Sequence, residues 1–523
     1  MLKPTTRLPP RTDEIKYAPA KHAKEFDTGI QWRDCPPQHR PIIEAIIKEY
    51  WDVYSKAGMK NPIRGFEFTI DTGHSAPICC KVPRYGPHES RVMTHLVKML
   101  EDKGLVEDDE GPYGAIIVLA SKPNQGHIHW TQFIFRLCIS YRALNAFTRP
   151  FIFPVSRCDD SVEEISDREV TITHDLDSGY WQVLLHKQSR EKTAFFTPEG
   201  KKHWCRMPMG IMNAHAFFVA MLIQFKHEWH GHYTAEGLQL IDRIIQLYKD
   251  LTPPEFQHML KATIGRPSSD IHATGDPGSA VIVDNIIMYA KCVVSLLAYY
   301  LSILKTLKFY RVTANLRKGR YFPTRAEFVG TDVLATGNAP AESKYHAIEK
   351  LTRPILFTDL RMLIGMLGFY QKWLPLYETR IIPWRDYQKA KPIAGSGSKP
   401  EEAKILQALW QDTDDQLMGA LKSELLEGPV LKRPNWNRRF YLKTDWSKEA
   451  MAAVVLQPDC DAQAEGGITR ELEGGKCEFD LTLSGLRLRP IAFYSRRCTG
   501  TEKDYHSYVS EAATGRWAMF KCS

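Results

Sequence analysis

Apolar and polar positions alternate along this chain with two different periods. Residues 41–57 and 88–105 repeat apolar side chains at helical spacing, and Gly104 ends the second helix. Residues 293–308 carry a third helical pattern, which predicts an amphipathic helix. These segments are separated by shorter runs rich in β-branched and aromatic residues. The pattern therefore predicts a mixed chain in which helices and strands share the same cores.

Three of the strand patterns predict hairpins. Residues 111–123 ("GPYGAIIVLASKP") and 133–145 ("FIFRLCISYRALN") predict paired strands, with Lys122 at the tip and Arg136 on the return, so that two cations face one ligand. Residues 193–207 predict a hairpin that turns at residues 198–200. The stretch "AVIVDNIIMYA" (280–290) reads as strand, tight turn and strand.

Composition limits the possible classes of protein. The chain has 523 residues, 43% of them hydrophobic and 25% charged, which is typical of two to four globular domains. No apolar run approaches the roughly 20 residues of a membrane helix, and the basic, proline-broken start lacks a signal-peptide core. Eleven scattered cysteines predict reduced thiols, with no zinc site and no disulfide framework. The net charge of +8 is compatible with a polyanionic partner without requiring one.

Acidic residues in two of the strand patterns suggest metal chemistry. Phosphoryl transfer to a 3′ end uses two divalent cations about 3.5–4 Å apart, and Mg²⁺ prefers oxygen ligands. Asp175, in "THDLDSGYWQ", and Asp284 suit two adjoining strands. Spacing alone does not choose between Asp175 and Asp177, because both point to one side of a strand. The alternative is a pair of ordinary acidic turns.

The order of six motifs carries a family resemblance. "SKP…FRLCISYRALN", "VTITHDLDSGYWQV", "KTAFFTPEG", "RMPMGIMNAHAFF", "VIVDNIIMYA" and "AEFVGTDV" follow one another. Together they resemble the reverse transcriptase of gypsy-type LTR retrotransposons. Farther on, "DLRMLIGMLGFYQKWLPLY" resembles that family's thumb-to-connection segment, and "FYLKTDWSKEAMAAVVLQ…RPIAFYSRR…YHSYVSEAA" resembles its ribonuclease H domain. The resemblance runs from about residue 40 to the end.

The resemblance implies a role for each matching residue. Asp175 and Asp284 match the two metal carboxylates, with the Leu176 carbonyl as an additional oxygen, and Asn285 stands beside them in the catalytic motif. The other matches are the nucleotide-phosphate cations Lys122 and Arg136, the sugar-facing Tyr180, the nucleotide-pocket residues Met209, Gly210 and Asn213, and the primer-grip residues Phe328, Val329 and Gly330. Each of these residues also has a purely structural alternative. The cations would lie on a solvated surface, Tyr180 would be a core aromatic, and residues 328–330 would form an ordinary strand and turn.

Several positions depart from the family pattern. Asn285 stands where the family has a second aspartate, so one negative charge for metal binding is missing. Asp177 is an alternative source of that charge, at a position that the family does not use. The spacing from Lys122 to Arg136 is wider than usual, and "MPMGIMNAH" differs from "MPFGLTNAP". Asp445 and Glu511 match the first two ribonuclease H carboxylates, and the chain stops before the last two. We expect no RNA cleavage from this chain alone.

One further motif points to another class of enzyme. Residues 70–76 ("IDTGHSA") contain the Asp-Thr-Gly of aspartic proteases. The apolar strand that should follow is replaced by "PICCKVPRYGPHES", which resembles the stretch leading into gypsy-type fingers. The protease interpretation is therefore remote.

The predicted architecture is α+β: a right-hand polymerase followed by a truncated ribonuclease H-like α/β domain. We expect an N-terminal extension (1–60), fingers and palm (61–335, with an insertion at 232–279), thumb and connection (336–427, with a linker at 391–400) and a partial ribonuclease H-like domain (428–523).

The predicted function is RNA-directed DNA polymerisation in the cytoplasm or nucleus. The expected partners are two Mg²⁺ ions, with Mn²⁺ as an alternative, a dNTP and a primed RNA or DNA template, without a membrane. The rival prediction is an inactive remnant that retains at most nucleic-acid binding, which Asn285, the insertion and the incomplete C-terminal domain favour.

Overall fold

The protein is described here from a computed structural model. The described residues are 30–54, 61–121, 135–154, 162, 165, 169–259, 277–328, 330–334, 336–390, 399–435, 439–458, 482–483 and 486–522. The chain divides into two compact units, Met1–Pro323 (unit 1) and Thr324–Ser523 (unit 2). The boundary lies before residue 335, where the sequence analysis placed the end of the palm, because residues 325–340 form a sheet within unit 2.

Unit 1 is a mixture of short strands and helices around one core. Its strands are β1 (Glu67–Phe68), β2 (Val106–Asp108), β3 (Ile116–Ser121), β4 (Phe135–Ser140), β5 (Val170–Asp175), β6 (Leu184–Leu185), β7 (Phe195–Thr197), β8 (Gly200–Trp204), β9 (Gly278–Ile282), β10 (Asn285–Ala290) and β11 (Arg320–Tyr321). Its α-helices are α1 (Arg40–Glu49), α2 (Trp51–Tyr54), α3 (Pro87–Glu101), α4 (Arg142–Phe147), α5 (Gly179–Gln182), α6 (Lys187–Arg190), α7 (Ala214–Leu251) and α8 (Val293–Tyr310).

The three predicted hairpins are present in the described residues. Strands β3 and β4 pair antiparallel, β7 and β8 turn at residues 198–199, and β9 and β10 are joined by a two-residue turn. Helix α3 also ends as predicted, because Gly104 adopts the left-handed conformation (φ +65°). The alternating and helical patterns were local signals, and the local structure follows them.

The central sheet of unit 1 has the order β11-β5-β10-β9, with all neighbours antiparallel. Helix α8 packs against β5 and β10 on one side and α7 on another. Most of its residues are buried, and Lys305 and Phe309 are exposed, so the polar face is much narrower than the predicted amphipathic helix implies. By length and composition α8 is also the one described helix that could cross a membrane, but 72% of it is buried in this core.

The expected insertion at 232–279 is partly a continuation of α7. This helix runs for 38 residues, and Ile241, Ile244 and Tyr248 in its second half are buried. The Tyr248 hydroxyl lies 2.8 Å from His39 Nδ1, and Arg243 pairs with Glu49 of α1. Residues 30–54 therefore belong to the same core as the palm rather than to a separate extension. Residues 260–276 of the expected insertion lie outside the described part.

Unit 2 contains two sheets and a helical layer. Strands β12 (Arg325–Phe328), β13 (Thr331–Leu334) and β14 (Gly337–Pro340) form the first sheet; β15 (Tyr441–Trp446), β16 (Ala450–Pro458), β17 (Thr482–Leu483) and β18 (Leu486–Arg497) form the second, in the order β15-β16-β18-β17. The α-helices are α9 (Tyr345–Glu349), α10 (Phe357–Phe369), α11 (Tyr377–Arg380), α12 (Ile382–Tyr387), α13 (Lys399–Leu409), α14 (Asp412–Leu426), α15 (Gly500–Lys503) and α16 (Ser507–Cys522). Most of the predicted linker, 391–398, lies outside the described residues.

Candidate active site

Two carboxylates meet at one end of the central sheet of unit 1. Strand β5 ends at Asp175, and its partner β10 begins at Asn285, which lies directly opposite Asp175 in the register. Asp284 sits in the turn before β10, and its carbonyl accepts a 2.8 Å hydrogen bond from the Leu176 N–H. Leu176 itself is buried. The structure therefore places Asp175, Leu176, Asp284 and Asn285 together, as the hairpin pattern predicted.

The backbone around these carboxylates is strained. Val283 has φ +54°, Ser178 has φ +51° and Asn213 has φ +74°. The left-handed region is costly for a non-glycine residue and most costly for a β-branched one such as Val283. Val283 precedes the predicted site residue Asp284, Ser178 lies two residues before Tyr180, and Asn213 is itself a predicted site residue. Such strain is often found where the surrounding fold fixes a functional side chain.

Asp175 is half-buried and carries a cation on its carboxylate. Burial raises its pKa, the ammonium group of Lys318 lowers it, and Asp284 and Asp177 raise it further. Lys318 Nζ lies 3.0 Å from Oδ1 and 2.9 Å from Oδ2 of Asp175. The Asp175 side chain is 15% exposed and that of Lys318 is 58% exposed. This end of the sheet therefore binds positive charge at the Asp175 carboxylate.

A short turn places Lys318 next to the Asp175 carboxylate. The 3₁₀ turn Leu316–Lys318 is capped by Asn315, whose side chain accepts from the Arg317 N–H. The Asn315 N–H in turn donates to the Asp175 carbonyl at 2.8 Å. The sequence analysis missed Lys318, since nothing in "NLRKGRYF" indicates a partner 143 residues away.

Asn285 and Asp177 occupy different positions at the site. The Asn285 side chain is exposed beside the Asp175 register position and contributes no charge. The backbone of Asp177 is bound on both sides: its N–H donates to the Thr313 carbonyl at 3.0 Å, and its carbonyl accepts from Gln182 at 2.7 Å. Asp177 raises the pKa of Asp175, so its charge acts on the site.

Tyr180 lies on α5, next to the carboxylates. Its ring packs edge-on against Phe218 with 5.0 Å between centroids, and its hydroxyl is 3.4 Å from His215 Nδ1. Burial raises the Tyr180 pKa, and the charge of Asp284 raises it further. The ring is therefore held by core packing while its hydroxyl faces the acidic group.

The predicted nucleotide-pocket segment is tied to α4 and the chain that follows it. Asn145 donates to the Gly210 carbonyl at 3.0 Å and accepts from the Met212 N–H at 2.8 Å. The Asn213 side chain accepts from the Phe151 N–H at 2.8 Å and donates to the Arg149 carbonyl at 2.7 Å. Asn213 thus fixes a loop with its amide, while Met209 is 61% exposed and open to a ligand. Gly210 has φ +86°, which explains a glycine there.

The predicted phosphate cations are only partly described. Arg136 lies on β4, opposite Ala120, and its side chain is exposed. Lys122 lies outside the described residues. The strand pair that carries Arg136 is present, because β3 and β4 pair over their full lengths.

Two of the predicted primer-grip residues are described: Phe328 ends β12 and Gly330 precedes β13 in unit 2. Phe328 is 2% exposed, so its ring belongs to the core. Gly330 has φ +74°, and its carbonyl accepts from the Ala341 N–H at 3.1 Å. Val329 lies outside the described residues.

The ribonuclease H carboxylates lie on neighbouring elements of unit 2. Asp445 is on β15, opposite Ala452, and Glu511 is on α16, which packs against β15. Both side chains are exposed. The roles of the two residues stay predictions.

The Asp-Thr-Gly motif forms a turn. Asp71 accepts from the Gly73 N–H at 2.8 Å and pairs with Arg149 at 3.3 Å, and the hydrogen bond from Gly73 lowers its pKa. The Asp71 carbonyl also accepts from the Arg149 N–H at 2.8 Å. Asp71 therefore has a structural role in holding the 149–151 segment.

The residues at the sheet end are a partial fit to a pair of hard divalent cations. Asp175 and Asp284 offer carboxylate oxygens from adjoining strands, which is the donor chemistry that Mg²⁺ prefers. Lys318 shows that Asp175 attracts a cation. Among the described residues, however, no third acidic, histidine or cysteine ligand joins these two in a tight cluster. The site therefore suits metal ions that receive further oxygens from a substrate.

Two family models match the chain. Residues 124–266 match the reverse transcriptase (RNA-dependent DNA polymerase) model, and residues 410–468 match the RNase H-like domain found in reverse transcriptase. The Pol polyprotein of the opus transposon of Drosophila melanogaster is 24% identical over 86% of this chain and 37% of its own length. That of the gypsy transposon is 24% identical over 87% of this chain and 36% of its own length.

The chain is therefore similar to retrotransposon Pol polyproteins, and the similarity includes a reverse transcriptase domain and an RNase H-like domain. The relationship extends to fungi, since the Tf2-7 polyprotein of Schizosaccharomyces pombe is 19% identical over 80% of this chain and 27% of its own length. The chain spans about a third of the length of the curated relatives that it matches.

Solved structures share the fold of this chain. The foamy viral protease-reverse transcriptase dRH in complex with dsDNA gives a TM-score of 0.69 at 16% identity, covering 95% of this chain and 71% of that one. The same viral protein in complex with an RNA/DNA hybrid gives 0.65 at 16% identity, covering 95% and 54%. The α+β polymerase architecture is therefore confirmed. Reverse transcriptases use divalent metal ions, which agrees with the carboxylates at the sheet end.

Proposed function

We propose that unit 1 is an RNA-directed DNA polymerase that Asn285 weakens. The observation that supports this proposal is the pairing of β5 with β10, which places Asp175 next to Asp284. The hydrogen bond from the Leu176 N–H to the Asp284 carbonyl holds the two strand ends together, and Asn285 lies opposite Asp175 where the family has a further aspartate. The reaction is attack of a primer 3′-OH on the α-phosphate of a dNTP, with pyrophosphate leaving. Bound at Asp175 and Asp284, two Mg²⁺ or Mn²⁺ ions would stabilise the charge on the attacking and leaving oxygens.

Other residues bind and orient the nucleotide in this proposal. Arg136, exposed on β4, meets the phosphates together with Lys122. The Tyr180 ring, fixed against Phe218, lies against the sugar and excludes a ribose 2′-OH. Met209 and Gly210 line the pocket, and Asn213 and Asn145 hold its loops.

The proposed substrate is a primed RNA or DNA template, read through its backbone and shape. The foamy viral enzyme in complex with dsDNA and with an RNA/DNA hybrid supports a duplex. In this proposal Phe328, Val329 and Gly330 contact the primer. We place the protein inside the cell, in the cytoplasm or nucleus.

The rival proposal is an inactive remnant that still binds duplex. Two observations favour it: Asn285 removes one negative charge, and Lys318 occupies both oxygens of Asp175. In this case duplex binding would fall steeply with salt, and no nucleotide would be incorporated.

Primer extension on oligo-dT-primed poly-rA, with Mg²⁺ or Mn²⁺, tests the proposal. The chain as given is compared with Asn285→Asp and with the matched control Asn285→Gln, which changes the side chain without adding charge. We expect Asn285→Asp to extend the primer at least about tenfold faster than either neutral version, because one added charge strengthens the metal site. If none of the three versions extends the primer while all of them still bind duplex, the result would support the inactive remnant.

A further inference from the structure

Three metal-binding side chains converge on one face of the β2–β8 pair, away from the sheet end that carries Asp175. Glu107 on β2 lies opposite His203 on β8, and Cys205, which follows β8, donates its N–H to the Leu105 carbonyl at 2.9 Å. His203 and Cys205 are two residues apart, so on extended backbone they point to the same side. One carboxylate oxygen, one imidazole nitrogen and the Cys205 sulfur all lie within 4.8 Å of one another.

The imidazole of this cluster is oriented by a buried carboxylate. His203 Nδ1 lies 3.0 Å from Asp109 Oδ1, and the Asp109 side chain is 3% exposed and also pairs with Lys201 at 2.9 Å. This contact assigns the imidazole proton to Nδ1, which leaves a lone pair on Nε2 for a metal ion. Nε2 lies 3.8 Å from Glu107 Oε2. A carboxylate behind a histidine is the arrangement that fixes metal-ligating imidazoles in proteins.

The donor set selects the class of ion. Sulfur, nitrogen and a single carboxylate suit Zn²⁺ and similar borderline ions, whereas Mg²⁺ prefers oxygen ligands alone. Glu107 is exposed and Cys205 is buried, so the cluster is open on one side to solvent. We propose that Glu107, His203 and Cys205 form a second metal site, which binds Zn²⁺ with water as the fourth ligand. Binding exchanges the thiol proton of Cys205 for the Zn–S bond and releases that proton to solvent.

Arg190 competes for this site. Its Nη1 lies 3.4 Å from Glu107 Oε2 and 3.7 Å from Cys205 Sγ, so a positive charge already rests against two of the three ligands. Burial raises the pKa of the Cys205 thiol to about 11, so the sulfur is protonated until a metal ion displaces the proton. A dication must move the guanidinium aside, and removal of Arg190 should therefore tighten metal binding. The same change would do nothing for a cluster without metal affinity.

A bound ion would act as a structural cross-link. It would join β2 to the chain beyond β8, and β8 also pairs with β7. No zinc site was predicted, because the cysteines are scattered along the chain; Glu107 is also far from His203 and Cys205 in the sequence. Only the strand register brings them together.

The test is a Co²⁺ titration of the full chain in excess MgCl₂, which occupies oxygen-only sites. Thiolate-to-cobalt charge-transfer absorption reports a Cys ligand directly, and saturation is expected at one ion per chain. Cys205→Ser should abolish this band, His203→Asn should weaken binding at least about tenfold, and Arg190→Gln should tighten it several-fold. Cys138→Ser, which changes an exposed cysteine on β4, is the matched control and should bind as the original chain does.

A second readout covers folding of the variants. Zn²⁺ should raise the thermal midpoint of the original chain and of Cys138→Ser, but not that of a folded Cys205→Ser chain, since binding to the native state alone stabilises it. A charge-transfer band that survives in Cys205→Ser, or no band in the original and in Arg190→Gln, would overturn the proposal. Neither readout needs polymerase activity, so the result does not depend on whether unit 1 extends primers.

Discussion

Asp175 in unit 1 and Asp445 in unit 2 are both strand carboxylates that match catalytic positions, but their surroundings differ. Asp175 is half-buried, borders Asp284, holds Lys318 and lies among strained residues. Asp445 is exposed on β15, and its predicted partner Glu511 is exposed on α16. Burial and opposing charge make a carboxylate's ionisation and position depend on its fold. The difference indicates that the fold fixes the position and ionisation of Asp175 more firmly than those of Asp445.

The largest expected effect tests that comparison directly. In the Asn285→Asp background, Asp175→Asn should reduce primer extension by about 10²–10³-fold, because it removes charge at the reacting phosphate. Asp445→Asn in the same background should leave extension unchanged. A comparable loss from Asp445→Asn would mean that the exposed carboxylate also serves the polymerase, and the contrast between the two units would fail.

The two units should also differ in acid sensitivity. His39 and His174 are buried in unit 1, and burial lowers their pKa values from 6.5 to about 4 and about 3. The folded unit keeps both imidazoles neutral while the unfolded chain takes up protons, so their stability contribution is full above pH 6.5 and is lost as pH falls towards 4 and then 3. For His39 the loss is about 3 kcal/mol.

Hydrogen exchange of the full chain from pH 7 to 4.5, corrected for intrinsic rates, measures this loss in peptides of each unit. Peptides of unit 1 should lose protection over this interval, and those of unit 2 should change less. His39→Gln retains a hydrogen-bonding group towards Tyr248 without titrating, and should remove its share of the pH dependence. Equal loss in both units, unchanged by His39→Gln, would contradict the prediction.

Packing beneath Tyr180 gives the next effect. A Cβ on Gly179 would lie 2.6 Å from Phe218 Cζ. Phe218 is fully buried, so its ring can move only by displacing the side chains packed around it. Gly179→Ala should therefore destabilise the chain by about 1–3 kcal/mol, measured by urea unfolding. Gly231→Ala on α7 is the matched control: nothing lies within 4 Å of its added Cβ, so stability should stay equal or rise. Equal destabilisation by both would show that the Phe218 contact is not the cause.

Unit 2 has its own acid-sensitive contact. Arg496 bonds both oxygens of Glu502 at 2.7 and 2.6 Å, which lowers the Glu502 pKa from 4.5 to about 2. A carboxyl whose pKa is lowered stabilises the fold above pH 4.5, and this contribution is lost as pH falls towards 2. Glu502→Gln should cost about 1 kcal/mol at pH 7 and nothing near pH 2. Urea unfolding at both pH values measures this, and a cost that persists at pH 2 would point to lost packing instead.

Local patterns explain how much of this molecule the sequence could predict. The β9–β10 hairpin that carries Asp284 follows from alternation and a tight turn within a few residues. The position of Asp284 next to Asp175 depends on the pairing of β10 with the distant β5, and it was expected from the order of the motifs. Lys318, the Tyr248–His39 contact and the Glu107 cluster could not be predicted, because each joins residues distant in the chain through packing or register. The second half of α7 was taken for an insertion for the same reason: its partner helix α1 lies almost 200 residues earlier.

The smallest effect concerns the cation on Asp175. Lys318 and a divalent ion require the same two oxygens, so Lys318→Gln should tighten Mn²⁺ binding about three- to tenfold, which corresponds to about 0.6–1.4 kcal/mol for a partly exposed pair. Arg317→Gln is the matched control, because it removes the same charge from the same turn without a contact to Asp175. Paramagnetic resonance of free Mn²⁺ measures both affinities without polymerase activity. If Arg317→Gln tightens binding equally, the general charge of the turn, rather than the contact with Asp175, sets the metal affinity of this site.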